Sequence, residues 1–117
     1  MQTRKTVPSE MVRFFYEMKD DATDWVVDED DDGVRGSWTY VTSYQLSKLR
    51  WHLWHRMVLQ DPRGIYWGIG YGIAATEYQD HDLPWTRSET VELKRLRAEV
   101  KTIVTFTESA DPEVTDD

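Results

Sequence analysis

Ser43-Tyr44-Gln45-Leu46-Ser47-Lys48-Leu49-Arg50-Trp51-His52-Leu53-Trp54-His55-Arg56-Met57-Val58-Leu59-Gln60 is the stretch on which the fold class turns. Leu46, Leu49, Leu53, Trp54 and Met57 recur at the spacing of one helix face. Thr42 or Ser43 offers an N-cap, and Asp61-Pro62-Arg63-Gly64 offers a stop. The spacing predicts a long helix over 43–60, packed on a sheet through Leu46, Leu49, Leu53 and Met57.

Upstream, Asp24–Val27 and Ser37–Val41 are rich in β-branched and aromatic residues and flank the acidic run Asp28–Gly33. They predict a hairpin over 24–41 with an acidic tip. Downstream, Gly64–Ala75 alternates strictly. Ile65, Trp67, Ile69, Tyr71 and Ile73 share one face, and Gly68, Gly70, Gly72 and Ala74 share the other. That is a strand with a bare face, and alternate glycines imply something lying close against it.

Met11, Phe14, Phe15 and Met18 mark a first helix, with Ser9 as its cap. Ser88 would cap a third, with Glu89 and Glu92 early, Lys94, Arg95, Arg97 and Lys101 late, and a β-branched end at 102–107 that allows a strand. Thr76–Arg87 reads as a loop, and residues 1–6 and 109–117 as flexible tails. The expectation is α+β: a small single domain of 117 residues, an antiparallel β-sheet packed against two or three helices.

The charges fall in blocks. Asp20, Asp21, Asp24, Asp28, Glu29, Asp30, Asp31 and Asp32 follow one another with no intervening base. From Gly33 to Gln60 there is no acid, only Arg35, Lys48, Arg50 and Arg56. A net charge of −8 opposes direct nucleic-acid binding and favours basic protein partners. The chain has no Cys, which excludes disulfides and thiolate chemistry and suits the cytoplasm. The longest apolar run, Ile65–Ala75, is too short for a membrane-spanning helix.

Several constellations could carry chemistry. Asp28-Glu29-Asp30-Asp31-Asp32-Gly33 fits the first half of a calcium loop, but Thr39 stands where the bidentate Glu belongs. A solvated hairpin tip is the better reading. His52 and His55, with His81 between Asp80 and Asp82, lack the spacing of a metal motif. Gly70-Tyr71-Gly72-Ile73-Ala74-Ala75 matches a loose phosphate-loop form, but inside a strand pattern. Trp67, Tyr71, Trp38 and Tyr40 could line a ligand pocket, though an ordinary aromatic core accounts for them. No nucleophile motif is present. No cofactor, metal or catalytic residue is expected.

The expected function is non-catalytic protein binding. The acidic tip, Asp28, Glu29, Asp30, Asp31 and Asp32, would occupy a basic surface of a nucleic-acid-handling partner, with Arg50, Trp51 and Arg56 as a second contact. In overall character only, a small, acidic, cysteine-free, Trp- and Tyr-rich chain resembles phage-encoded inhibitors of bacterial defence, such as anti-CRISPR or anti-restriction proteins. The resemblance covers no motif. The alternative is a homo-oligomer such as a dimer, in which acidic blocks meet the basic stretch of a copy, or a small-ligand binder. Calorimetry with millimolar Ca²⁺ is expected to show no heat; saturable heat would reinstate the calcium loop.

Overall fold

Ser43–Gln60 is a β-hairpin and not a helix. The structure, a computed structural model, describes residues 2–21, 23–30, 32–49, 51–77, 80–100 and 102–108. Strands β1 (Arg4–Pro8), β2 (Trp25–Val27), β3 (Gly36–Leu49), β4 (His52–Gln60), β5 (Tyr66–Ala74) and β6 (Thr90–Leu96) form one sheet of order β1-β6-β5-β4-β3-β2. Each neighbouring pair is antiparallel. One α-helix, α1 (Ser9–Met18), packs on the sheet, which curls around it as a half-barrel. The expected α+β arrangement of a sheet against two or three helices is therefore corrected to a mainly antiparallel sheet with one α-helix among the described residues.

The physical reason lies in the period. On β4, Leu53, His55, Met57 and Leu59 pair with Ile73, Tyr71, Ile69 and Trp67, so they share the inner face at period two. On β3, irregularities between Tyr40 and Thr42 and between Gln45 and Ser47 insert extra residues at Val41 and Leu46. Each bulge flips the alternation. The inner face past the core then carries Ser43, Gln45 and Lys48, opposite Met57, His55 and Leu53. A strand whose inward residues are polar, and whose register slips twice, shows a false helical stripe.

The third helix is corrected for a simpler reason. Val91 and Leu93 point inward and pair with Val7 and Lys5, while Glu92 and Lys94 point outward. Residues beyond Leu96 form no regular element among those described. The expected first helix, hairpin over 24–41 and glycine-faced strand are all present. The chain is ordered into β1 from Arg4, inside the stretch read as a tail, whereas 109–117 lies outside the described residues.

Helix α1 buries Met11, Val12 and Phe15 against Trp38, Met57, Leu59, Trp67, Trp85 and Leu93. Ser9 does not cap it. Its hydroxyl donates to the Ser88 carbonyl at 2.6 Å, and its N–H donates to the Glu89 carbonyl at 2.9 Å, which ties the helix start to the entry of β6.

The bare glycine face is covered by neighbouring side chains. A Cβ on Gly68 would lie 2.7 Å from Leu96 Cδ1 and 3.2 Å from Arg56 Cδ. A Cβ on Gly72 would lie 3.0 Å from the Trp54 ring. Pairing of β5 with β6 covers only Tyr66, Trp67 and Gly68, after which the strands part. Further along, Gly72 exchanges 2.8 Å backbone hydrogen bonds with Asp82, in the segment between β5 and β6. Gly70, skipped between them, is exposed.

The β4–β5 turn is built on Asp61, whose side chain is fully buried. Its Oδ1 accepts from the N–H groups of Arg63 and Ile65, and its Oδ2 accepts from Trp67 Nε1 at 3.0 Å. No helix among the described residues is long and apolar enough to cross a membrane. Asp61→Ala would leave a buried indole N–H and two turn amides unpaired. Urea unfolding is expected to show a loss of about 3 kcal/mol with little change in slope.

Candidate binding surfaces

The acidic tip is partly consumed inside the molecule. Glycine at position 33 allows φ of 78°, and its N–H donates to the Asp30 carbonyl. Asp30 Oδ1 accepts from the N–H groups of Asp32 and Val34, both at 2.9 Å. The turn so formed aims both carboxylates at Lys5 of β1. Lys5 is only 3 % exposed. Its Nζ lies 2.9 Å from Asp30 Oδ2 and also donates to Asp32 Oδ2, which Gln2 reaches as well. The cation that these carboxylates share is an ammonium of the same chain.

Burial alone would lower the Lys5 pKa, but the Asp32 and Asp30 carboxylates outweigh it and hold it above 10.5. Burial likewise works against the Asp30 carboxylate. Hydrogen bonds from Lys5, Val34 and Asp32 overcome that and keep it below its ordinary 3.8. Lys5 holds Asp32 low as well. Asp28 and Glu29 remain exposed, and Asp31 lies outside the described residues.

The second predicted contact sits elsewhere than expected. Trp51 occupies the turn between β3 and β4, where it is 52 % exposed, and its carbonyl accepts from Ala75 N–H. Arg56 lies on the outer face of β4, opposite Gly70, and its Nη1 donates to Tyr44 Oη at 3.1 Å. Arg50 lies outside the described residues. Trp51 and Arg56 are thus parts of one arm, the β3–β4 hairpin, whose β3 side also exposes Val41, Tyr44 and Leu46. The acid-free block of sequence is this arm, and the acids of the tip turn to β1 instead.

The histidines do not converge. Being three apart on a strand, His52 and His55 face opposite sides of β4. His52 Nε2 meets the Asp80 carbonyl, and His55 stacks on Tyr71 with ring centroids 5.4 Å apart. His81 Nδ1 accepts from Ala74 N–H. Among the described residues no group of three His, Asp or Glu is placed to hold a metal. Trp38, Trp67 and Tyr71 are core residues. Burial pushes the Tyr16 and Tyr71 phenols up, away from the range useful for acid–base work near neutrality. Where β5 and β6 part, a groove of about 740 Å³ opens on the outer face, lined in part by Arg56, Arg87, Lys94 and Arg95.

Sequence reasoning missed Lys5. Its signal was present: in Arg4-Lys5-Thr6-Val7-Pro8, Lys5 shares the period-two face of Val7. Comparison of the chain with family models, with curated proteins and with solved structures finds no match in any of the three.

The ion cluster has a defined pH window. Its carboxylate contribution is complete above 3.8 and is lost as pH falls through the depressed folded values; its Lys5 contribution is complete below 10.5 and is lost as pH rises through the raised one. Lys5→Met should lower stability at neutral pH by about 3 kcal/mol, because the partly buried Asp30 carboxylate loses its cation. The deficit should shrink at acid pH, as the variant's carboxylates become protonated. A deficit that is constant with pH would separate the cluster from stability.

Proposed function

We propose that the chain is a non-catalytic protein-binding module of the cytoplasm, anchored by the β3–β4 arm. The observation that carries this reading is the arm itself. It projects Trp51 at its turn and exposes Val41, Tyr44 and Leu46 within a stretch of sequence that holds no acid. Half-exposed Trp and Tyr beside Arg are the residue types that dominate interface hot spots. The remainder of the chain is acidic and steers the module toward a basic partner. A nucleic-acid-handling protein offers such a surface, so an inhibitor that covers it is the form this function takes. Asp28 and Glu29, which have no intramolecular ion-pair partner among the described residues, are the tip carboxylates open to that partner.

A second reading, assembly with copies of itself, is favoured by the apolar residues exposed after β6. The primary reading is tested by co-purification from the native host, followed by affinity measurement with the captured protein. Trp51→Ala should weaken binding by about 2 kcal/mol, mainly through faster dissociation. Asp28→Lys with Glu29→Lys should slow association and flatten its salt dependence without disturbing Lys5. Binding unchanged in both variants would refute the arm and the tip together.

A further inference from the structure

Val100, Ile103, Val104 and Phe106 are 102, 77, 73 and 93 % exposed. No other stretch of the described chain leaves four large apolar side chains so bare. Three of them fall in Thr102-Ile103-Val104-Thr105-Phe106-Thr107, an uncharged run of β-branched and aromatic residues without Gly or Pro. That composition suits a strand that has found no partner.

A vacant partner edge exists on the same molecule. β2 covers β3 only at Gly36, Ser37 and Trp38, so β3 from Thr39 onward pairs on one side alone, with β4. Native edges of this length are guarded by charges or by bulges. Here the bulges at Val41 and Leu46 leave Thr42–Gln45 as a regular run, and Lys48 is the sole charge on the edge. The donor leaves the body beside this acceptor. Arg97, Ala98 and Glu99 line a groove of about 430 Å³ together with Val41, Thr42 and Tyr44.

We propose that Thr102–Thr107 adds as a strand to the free edge of β3 in a second copy of the chain, and that the two copies exchange these segments reciprocally about a two-fold axis. This rests on the reading of the chain as self-assembling, not on the hetero-partner reading. A closed, isologous exchange requires a donor and an acceptor on every copy, and this chain carries both. In its own protomer Arg97, Ala98 and Glu99 lie close to β3, yet the apolar side chains that follow them stay bare. The charge pattern fits as well. Two chains of net charge −8 repel unless the surfaces that meet are free of acids, and both the donor and the acceptor hold none. Glu108 follows the donor directly, and Lys48 lies just past the acceptor run, so one end of the added strand can attract.

Light scattering at micromolar concentration should give twice 13.9 kDa. Val104→Asp with Phe106→Asp should give a folded monomer whose circular dichroism spectrum loses only the contribution of the added strand, because these side chains are bare in a single copy. The dissociation constant should rise about a hundredfold or more. Since the chain has no Cys, Thr42→Cys with Thr105→Cys should form disulfide-linked dimers on mild oxidation. Trp51→Ala should leave the dimer intact, which separates failure here from failure of the arm-tip reading. A monomer at every concentration, a dimer indifferent to the two aspartates, or a disulfide closing within one chain would each overturn the proposal.

Discussion

Lys5 holds together the two ends of the sheet. In the strand order β1-β6-β5-β4-β3-β2, β1 and β2 are the outermost members, five steps apart. Yet the Lys5 ammonium on β1 meets the carboxylates of Asp30 and Asp32, which sit on the loop joining β2 to β3. A flat sheet could not bring these groups together. The contact therefore requires the curl, and the curl is what gives α1 a concave surface to fill. Burying an ammonium is unfavourable unless its partners are fixed in place. Here they are fixed by the Asp30 side chain, which takes the N–H groups of Asp32 and Val34 and stiffens the loop.

Curvature also governs the two faces. The inner face carries the bulk: Trp38 and Trp67 are fully buried beside α1, with Trp85 from the segment between β5 and β6. The outer face of β5 is glycine, and Arg56, Trp54 and Leu96 from flanking strands lie across it. Bulky side chains on both faces of β5 would push its neighbours apart. The asymmetry of Gly68, Gly70 and Gly72 against Trp67, Ile69 and Tyr71 lets the sheet bend tightly around the helix.

How much of this was legible depended on whether local pattern and long-range pairing agreed. They agree in α1, in β5 and in the acidic hairpin, and those elements read correctly from residue type and period. They disagree in Ser43–Gln60. Two bulges shift the phase, the inward positions beyond the helix are Ser43, Gln45 and Lys48, and the turn at Trp51 carries no Gly, Asn or Pro to announce it. In the stretch after Ser88, the alternation of Val91 and Leu93 was too short to outweigh a favourable charge order for a helix. The site was legible in part. The acid-free block marks the arm, and Trp51 and Arg56 belong to it. The tip's use of Asp30 and Asp32 was hidden, because their partner lies on a strand more than twenty residues away and reads locally as a tail.

The parting of β5 and β6 has a mechanical meaning. Only three residue pairs join these strands, whereas nine join β4 to β5 and five join β1 to β6. The molecule is thus two panels. One is β1 and β6 with the start of α1, and the other is β5, β4, β3 and β2. A short seam connects them on one side and the Lys5 clasp closes them on the other. Without the clasp, the panels are joined only by that seam and by α1, which packs against core residues of both, so strain between the panels falls on Tyr66–Gly68 and on the helix.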